Sequence, residues 1–122
     1  MLAFDEMTLV VNDLTAALEF YGTLLGFEVI GRDDRHNQEM AFLTLGKFRL
    51  TLVRPTNSKR LLPPQDSVTI TFLADNFDAL RQQLGGFVYH DPTSWTQGRS
   101  LSGRDPAGYT VKIVERQRQQ GG

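Results

Sequence analysis

Residues 48–53, Phe-Arg-Leu-Thr-Leu-Val, share a pattern of apolar and polar side chains with residues 109–114, Tyr-Thr-Val-Lys-Ile-Val. In both stretches the first five side chains alternate between apolar and polar, which predicts a strand that buries one face. Gly26-Phe27 has a counterpart in Gly86-Phe87 at a similar spacing. The chain therefore contains an internal repeat, and we expect that neither half buries its apolar face alone.

The segments around these strands follow one order in both halves. In the first half they predict a strand at 7–11, a helix over 14–25, a strand at 27–32, a turn at Asp33-Asp34, and strands at 40–45 and 48–54. Either Asn12 or Asp13 can cap the first helix, and Gly26 can end it. In the second half they predict a strand at 67–73, a helix from Asp75-Asn76 to Leu84, and strands at 87–90, 100–103 and 109–115.

The predicted fold class is α+β, with two βαβββ modules. A chain of 122 residues suits one domain, since two independent halves of about sixty residues would each be marginally stable. We expect module one at 4–54, a proline-rich linker at 55–66, module two at 67–115 and a polar tail at 116–122.

Composition excludes several classes of function. Thirteen basic and fourteen acidic side chains give a net charge of −1, so no basic excess points to nucleic acid. The lack of cysteine excludes disulfides, thiolate zinc sites, iron–sulfur clusters and cysteine nucleophiles. Residues 1–6 lack the basic and apolar parts of a signal peptide, and no apolar stretch reaches the roughly 20 residues of a membrane span. We therefore expect a cytoplasmic protein without a nucleic-acid or membrane partner.

The first, fourth, fifth and last predicted strands each have one apolar face and one mixed face. In residues 48–53, for example, Arg49 and Thr51 lie opposite Leu50 and Leu52. The apolar faces should carry the helices. The mixed faces can line a ligand cup or can simply face water, and the alternation alone favours water.

Several short motifs resemble the vicinal oxygen chelate superfamily, which includes glyoxalase I, extradiol dioxygenases, methylmalonyl-CoA epimerase, and fosfomycin- and bleomycin-resistance proteins. The motifs are Asn12-Asp13-Leu14, Phe20-Tyr21, residues 24–29 and Asp105-Pro106-Ala107-Gly108-Tyr109. Residues 95–99, Trp-Thr-Gln-Gly-Arg, are similar to a loop of the bleomycin-resistance branch. The resemblance covers residues 4–115 and implies a curved mixed sheet forming a cup, with helices on its outer face.

The resemblance also implies four metal-ligand positions, one on each of four strands. In this sequence they fall on Glu6, Thr51, Thr69 and Lys112. Only Glu6 is a plausible ligand, because an ammonium repels a divalent cation and threonine hydroxyls bind transition metals poorly. We therefore expect no metal and no cofactor. Glu6 and Lys112 either approach each other, within one chain or across a dimer, or are separately solvated.

The sequence predicts a ligand-binding set and no catalytic residue. The set is Glu6, Thr8, Thr51, Thr69, Thr71, Tyr89, Trp95 and Lys112. Trp95 is the candidate stacking wall, since it lies in a polar loop where burial in a core explains it less well. Of the two histidines, His36 lies in a polar stretch typical of a surface, and His90 can orient a ligand.

The favoured function is metal-independent binding of a small organic molecule, of the antibiotic-sequestering type, by a homodimer. The idea of drug binding comes from the resemblance alone. One alternative is a metal-dependent lyase, epimerase or dioxygenase of the same superfamily. Another is an accessory or regulatory module without a substrate.

Overall fold

The protein divides into two compact units, Met1–Pro64 and Gln65–Gly122. The structure is a computed structural model and describes residues 2–35, 37–56, 68–93 and 98–117. Within these residues each unit has a four-stranded mixed sheet and one helical segment, which confirms the predicted α+β class. No helix within these ranges is long and apolar enough to span a bilayer. The organisation of both units as a single domain stays a prediction.

The first unit follows the predicted βαβββ order. Its elements are β1 (Glu6–Val10), α1 (Leu14–Leu18) with a π-helical continuation (Glu19–Leu24), β2 (Glu28–Arg35), β3 (Gln38–Leu45) and β4 (Phe48–Pro55). The sheet order is β1-β4-β3-β2, with β1 parallel to β4 and the other pairs antiparallel. The helix lies against β3 and β4 and covers the buried Leu43, Leu50 and Leu52. Fully burying each such leucine contributes about 1.5–3 kcal/mol.

The first helix starts at a defined cap and ends in a wider turn than the sequence predicted. The Asp13 carboxylate accepts a hydrogen bond from the Ala16 amide at 3.0 Å, so Asp13 rather than Asn12 supplies the side-chain cap. Beyond α1, the Leu25 amide bonds back to the carbonyl of Phe20 at 3.0 Å, which is π-helical spacing. Gly26 follows with φ +86°, the left-handed conformation that ends a helix.

The turn between β2 and β3 lies further along the chain than predicted. Strand β2 continues through Asp33 and Asp34, and Arg35 pairs with Gln38. The chain therefore reverses direction between Arg35 and Gln38, and Asn37 there has φ +69°. The sequence prediction of a turn at Asp33-Asp34 was wrong, because cross-strand pairing holds two turn-forming residues inside the hairpin.

The second unit repeats this order. Its elements are β5 (Thr69–Ala74), α2 (Phe77–Gln83), β6 (Val88–His90), β7 (Ser100–Arg104) and β8 (Thr110–Glu115). The sheet order is β5-β8-β7-β6, with β5 parallel to β8. The buried face carries Ile70, Leu101, Val111 and Ile113. The alternation in the sequence therefore predicted correctly which face of β1, β4, β5 and β8 is buried.

The turn before β8 explains one of the motifs physically. One oxygen of the buried Asp105 carboxylate accepts hydrogen bonds from the amides of Ala107 and Tyr109, both at 2.9 Å. Gly108 adopts φ +96° and donates its amide to the Asp105 carbonyl at 3.0 Å. The aspartate thus satisfies amides that the tight turn would otherwise leave unpaired, and the glycine supplies the left-handed conformation.

Gly103 in β7 allows an aromatic ring to lie directly on the sheet. A methyl group at this position would lie 2.5 Å from the ring of Phe87. Gly85 offers a contrast, because a methyl group there has nothing within 4 Å.

We predict that Gly103→Ala destabilises the protein by about 1–3 kcal/mol, because the ring or the strand must shift. Gly85→Ala should change the free energy of unfolding by less than about 0.5 kcal/mol. Urea denaturation measures both. Adding Phe87→Leu to Gly103→Ala should restore part of the loss. Equal stability of the two alanine variants would contradict this account of the ring contact.

Candidate functional site

The face of the second sheet that points away from α2 carries a row of three polar side chains and one valine. We call it the open face of unit two. In the strand pairing, Thr71 lies beside Lys112, Lys112 beside Ser102, and Ser102 beside Val88. Paired residues point to the same side of a sheet, so these four side chains share the open face.

A pocket of about 280 Å³ lies on this open face. It is lined by His90, Asp91, Thr93, Ser100, Ser102 and Lys112. Three hydroxyls, an imidazole, a carboxylate and an ammonium therefore meet around one concavity. Such a lining can bind and orient a polar group of a small molecule.

Two pocket residues are already hydrogen-bonded to each other. The Nε2 atom of His90 lies 2.8 Å from the Oγ atom of Ser102, and the tautomer of the ring decides which of them donates. Sequence analysis named His90 and missed both Ser102 and Ser100. The alternation of Ser100, Leu101 and Ser102 was visible, but it does not reveal which residues β6 places beside them.

Lys112 supplies the positive charge of this pocket. It is half-buried and lies between Thr71 on β5 and Ser102 on β7. Among residues 2–35, 37–56, 68–93 and 98–117, no salt bridge includes Lys112. Within that part of the chain its ammonium is available to a ligand.

The first unit gathers the other predicted threonines and the glutamate. Thr8 pairs with Thr51 across β1 and β4, and the Thr51 hydroxyl donates to the Glu6 carboxylate at 3.0 Å. Thr51 is only 3% exposed, whereas Glu6 and Thr8 are exposed. Glu6 therefore already has one partner in its own unit.

The predicted ligand-binding set separates into groups. Glu6, Thr8 and Thr51 share a face in the first unit, and Thr69, Thr71 and Lys112 share the open face of unit two. A common site for the two groups, and a Glu6–Lys112 pair, stay predictions. Trp95 and His36 lie outside the described residues.

Tyr89 lies on the opposite face from Lys112. It pairs with Leu101, and its ring lies under the Arg81 guanidinium at 3.8 Å and beside the Phe77 ring at 6.5 Å. Burial, followed by a hydrogen bond to Asp91, raises the pKa of Tyr89. The ring thus packs against α2 and does not line the pocket that contains Lys112.

The donor set does not fit a divalent metal site of the kind that the motifs imply. One carboxylate, Glu6, already accepts a threonine hydroxyl, and Lys112 carries a charge of the wrong sign. Within the described ranges, no three histidine, aspartate or glutamate side chains are grouped so that they could hold a metal ion.

Arg99 is held by two carboxylates on the α2 side of the second sheet. Its Nε and Nη2 atoms donate to Glu115 at 3.2 and 2.6 Å, and its Nη1 atom donates to Asp78 at 2.9 Å. The guanidinium also lies 4.7 Å from the ring centre of Phe77. The hydrogen bonds that Arg99 donates to Glu115 lower the pKa of this carboxyl below its ordinary value of 4.5. Arg99 therefore ties α2 to β8 and is not free to hold an anionic ligand.

We predict an acid-dependent contribution of this cluster to stability. Because folding lowers the pKa of Glu115, its contribution is present above pH 4.5 and is lost as the pH falls through the lower native value. Arg99→Gln should therefore be less stable than the wild type at neutral pH, and the difference should shrink below pH 4.5.

Thermal unfolding from neutral to acidic pH measures this difference. Arg35→Gln is the matched control, because Arg35 and its partner Asp33 form an exposed pair on β2 at 2.7 Å. A constant difference between wild type and Arg99→Gln across the whole pH range would contradict the assigned role of Glu115.

The fold and the motifs define a class of protein, and the comparison with family models agrees. Residues 3–113 match the model described as the Glyoxalase/Bleomycin resistance protein/Dioxygenase superfamily. The chain belongs to this superfamily. A comparison with curated proteins finds no significant match.

Solved structures share the fold. The antibiotic-binding protein TnmS3 from Streptomyces sp. CB03234 matches with a TM-score of 0.70 and 20% identity, over 96% of this chain and 98% of that chain. The fosfomycin resistance protein FosX from Listeria monocytogenes matches with a TM-score of 0.76 and 14% identity, over 98% and 95%. A lactoylglutathione lyase from Agrobacterium tumefaciens matches with a TM-score of 0.67 and 25% identity, over 93% and 92%.

Proposed function

We propose that this protein binds a small organic molecule without a metal ion, as an antibiotic-sequestering protein does. The observation that carries the proposal is the pocket on the open face of unit two, where Lys112, Ser102 and His90 meet. A sheet face that is not covered by a helix, and that carries converging donors, can orient a ligand while the scaffold stays rigid.

The chemistry of the donor set supports binding over metal-assisted catalysis. Lewis-acid catalysis requires several oxygen or nitrogen ligands around one ion. The four positions that the superfamily motifs indicate hold one carboxylate, two hydroxyls and an ammonium. These groups are good hydrogen-bond partners for an organic molecule and poor ligands for a transition metal.

The proposed ligand contacts include the remaining members of the predicted set. In unit two, Thr69 and Thr71 extend the open face beside Lys112. In unit one, Thr8, Thr51 and Glu6 offer a second group of polar contacts. Trp95 is proposed as a stacking wall from its sequence context. The antibiotic-binding description of TnmS3, a protein with the same fold, makes this class of ligand the first to test.

A thermal-shift screen combined with elemental analysis tests the proposal. Purified protein, treated with EDTA and dialysed, should be stabilised by one or more antibiotics or other organic compounds, because a ligand that binds only the native state raises its stability. The same shifts should persist without added metal. Elemental analysis should find far less than one transition-metal ion per chain.

Two results would contradict the proposal. One zinc, iron, nickel or manganese ion per chain, retained through the EDTA step, would favour the lyase, epimerase or dioxygenase alternative. A broad screen in which no compound stabilises the metal-free protein would favour an accessory module without a ligand.

We also propose that the protein is a homodimer. Leu2, Phe4 and Ile30 are 99%, 71% and 54% exposed, and a second copy of the chain could cover such apolar side chains. Sedimentation equilibrium at micromolar concentration should give twice the chain mass. A single monomeric species under those conditions would contradict this proposal.

A further inference from the structure

We infer that the ligand is an organic acid: its carboxylate lies between Lys112 and Ser102, and its apolar body extends over Val88. The inference rests on the proposed function and names the chemical class of ligand that the pocket in unit two would take. Four features of the open face support it.

The first feature is the charge at the centre of the sheet. Lys112 lies on β8, which has a strand on either side, so its stem is held between Thr71 and Ser102. No salt bridge within the described ranges neutralises it. A half-buried ammonium gains more from an anionic partner than an exposed one, since it has already lost part of its hydration.

The second feature is a hydroxyl donor directly beside that charge. Ser102 pairs with Lys112 across β7 and β8, and its Oγ atom lies 2.8 Å from Nε2 of His90. When Nε2 carries the proton, the imidazole donates to the serine oxygen. The serine hydroxyl is then able to donate its own proton to a bound carboxylate. His90 is in this arrangement a positioning residue that acts through Ser102.

The third feature fixes where in the pocket the anion would lie. Asp91 also lines the pocket, and its carboxylate would repel an anion. It follows His90, the last residue of β6, and so lies past the end of that strand, whereas Lys112 and Ser102 lie inside paired strands. The favourable position for a carboxylate is therefore at Lys112 and Ser102, away from Asp91.

The fourth feature is apolar surface next to the polar centre. Val88 pairs with Ser102 and so follows it in the same row of the open face, and it is 59% exposed. Leu73 belongs to the same face on β5, where it pairs with Val114. A ligand with a hydrocarbon or aromatic body can cover these side chains while its acid group reaches Lys112. A small inorganic anion would leave them exposed to water.

Isothermal titration with a matched pair of probes tests the inference. The probes are 4-phenylbutyrate and its neutral amide, 4-phenylbutyramide, which differ in charge and share the same apolar body. We expect the wild type to bind the acid about tenfold or more tightly than the amide, because the hydrogen bond to Lys112 is charge-assisted.

Variants of the pocket residues then show which side chains contact the carboxylate of the acid. Lys112→Met should reduce affinity for the acid by about tenfold and leave affinity for the amide nearly unchanged, and Lys112→Arg should retain most of the affinity for the acid. Ser102→Ala should weaken binding of the acid by a smaller factor. Lys47→Met is the matched control, because it removes the same charge from the exposed Gly46-Lys47 turn of unit one. It should bind both probes as the wild type does.

Three results would overturn the inference: no measurable binding of the acid, equal affinity for acid and amide, or equal losses in Lys112→Met and Lys47→Met. In each case, neutral compounds that stabilise the protein in the thermal-shift screen would leave the proposed function standing. If the acid does not bind and no compound stabilises the protein in the screen, both this inference and the proposed function are overturned.

Discussion

Within the described residues, each four-stranded sheet has two faces and one helical segment that packs against it. Because side chains alternate along a strand, the sequence can give a strand one apolar face and one mixed face, and it does so in β4 and β8. The covered face supplies the hydrophobic stabilisation of each unit. The other face is left with side chains such as Thr71, Ser102 and Lys112, which contribute little to a core and are available to a ligand. The candidate site is thus a direct consequence of the way the fold is stabilised.

The turns and close contacts of the second unit keep this open face in register. The Asp105 carboxylate closes the turn before β8, and Gly103 lets Phe87 lie on the covered face of β7. On the same covered side, Arg99 ties α2 to the end of β8. All three features act away from the pocket. They explain how a face with few internal stabilising contacts can still hold its polar groups at fixed positions.

Most of the fold could be predicted because its signals are local. Alternation identified the buried faces, and Gly26 marked the end of the first helix. The turn between β2 and β3 could not be predicted correctly, because Asp33 and Asp34 favour turns locally and only strand pairing keeps them extended. The candidate site was predictable in part: alternation gives the face on which Lys112 lies, and the resemblance to the superfamily singled it out as a site position. The contact between His90 and Ser102 depends on the register of β6 against β7, and the sequence does not determine that register because residues 91–99 separate the two strands.

A crystal structure of the protein with the tightest organic ligand from the metal-free screen tests the central claim most directly. The account predicts ligand density on the open face of unit two, within hydrogen-bonding distance of Lys112 and Ser102, and no metal ion between ligand and protein. Density for the ligand on the α2 side, or a ligand that contacts the protein through a coordinated metal ion, would contradict it.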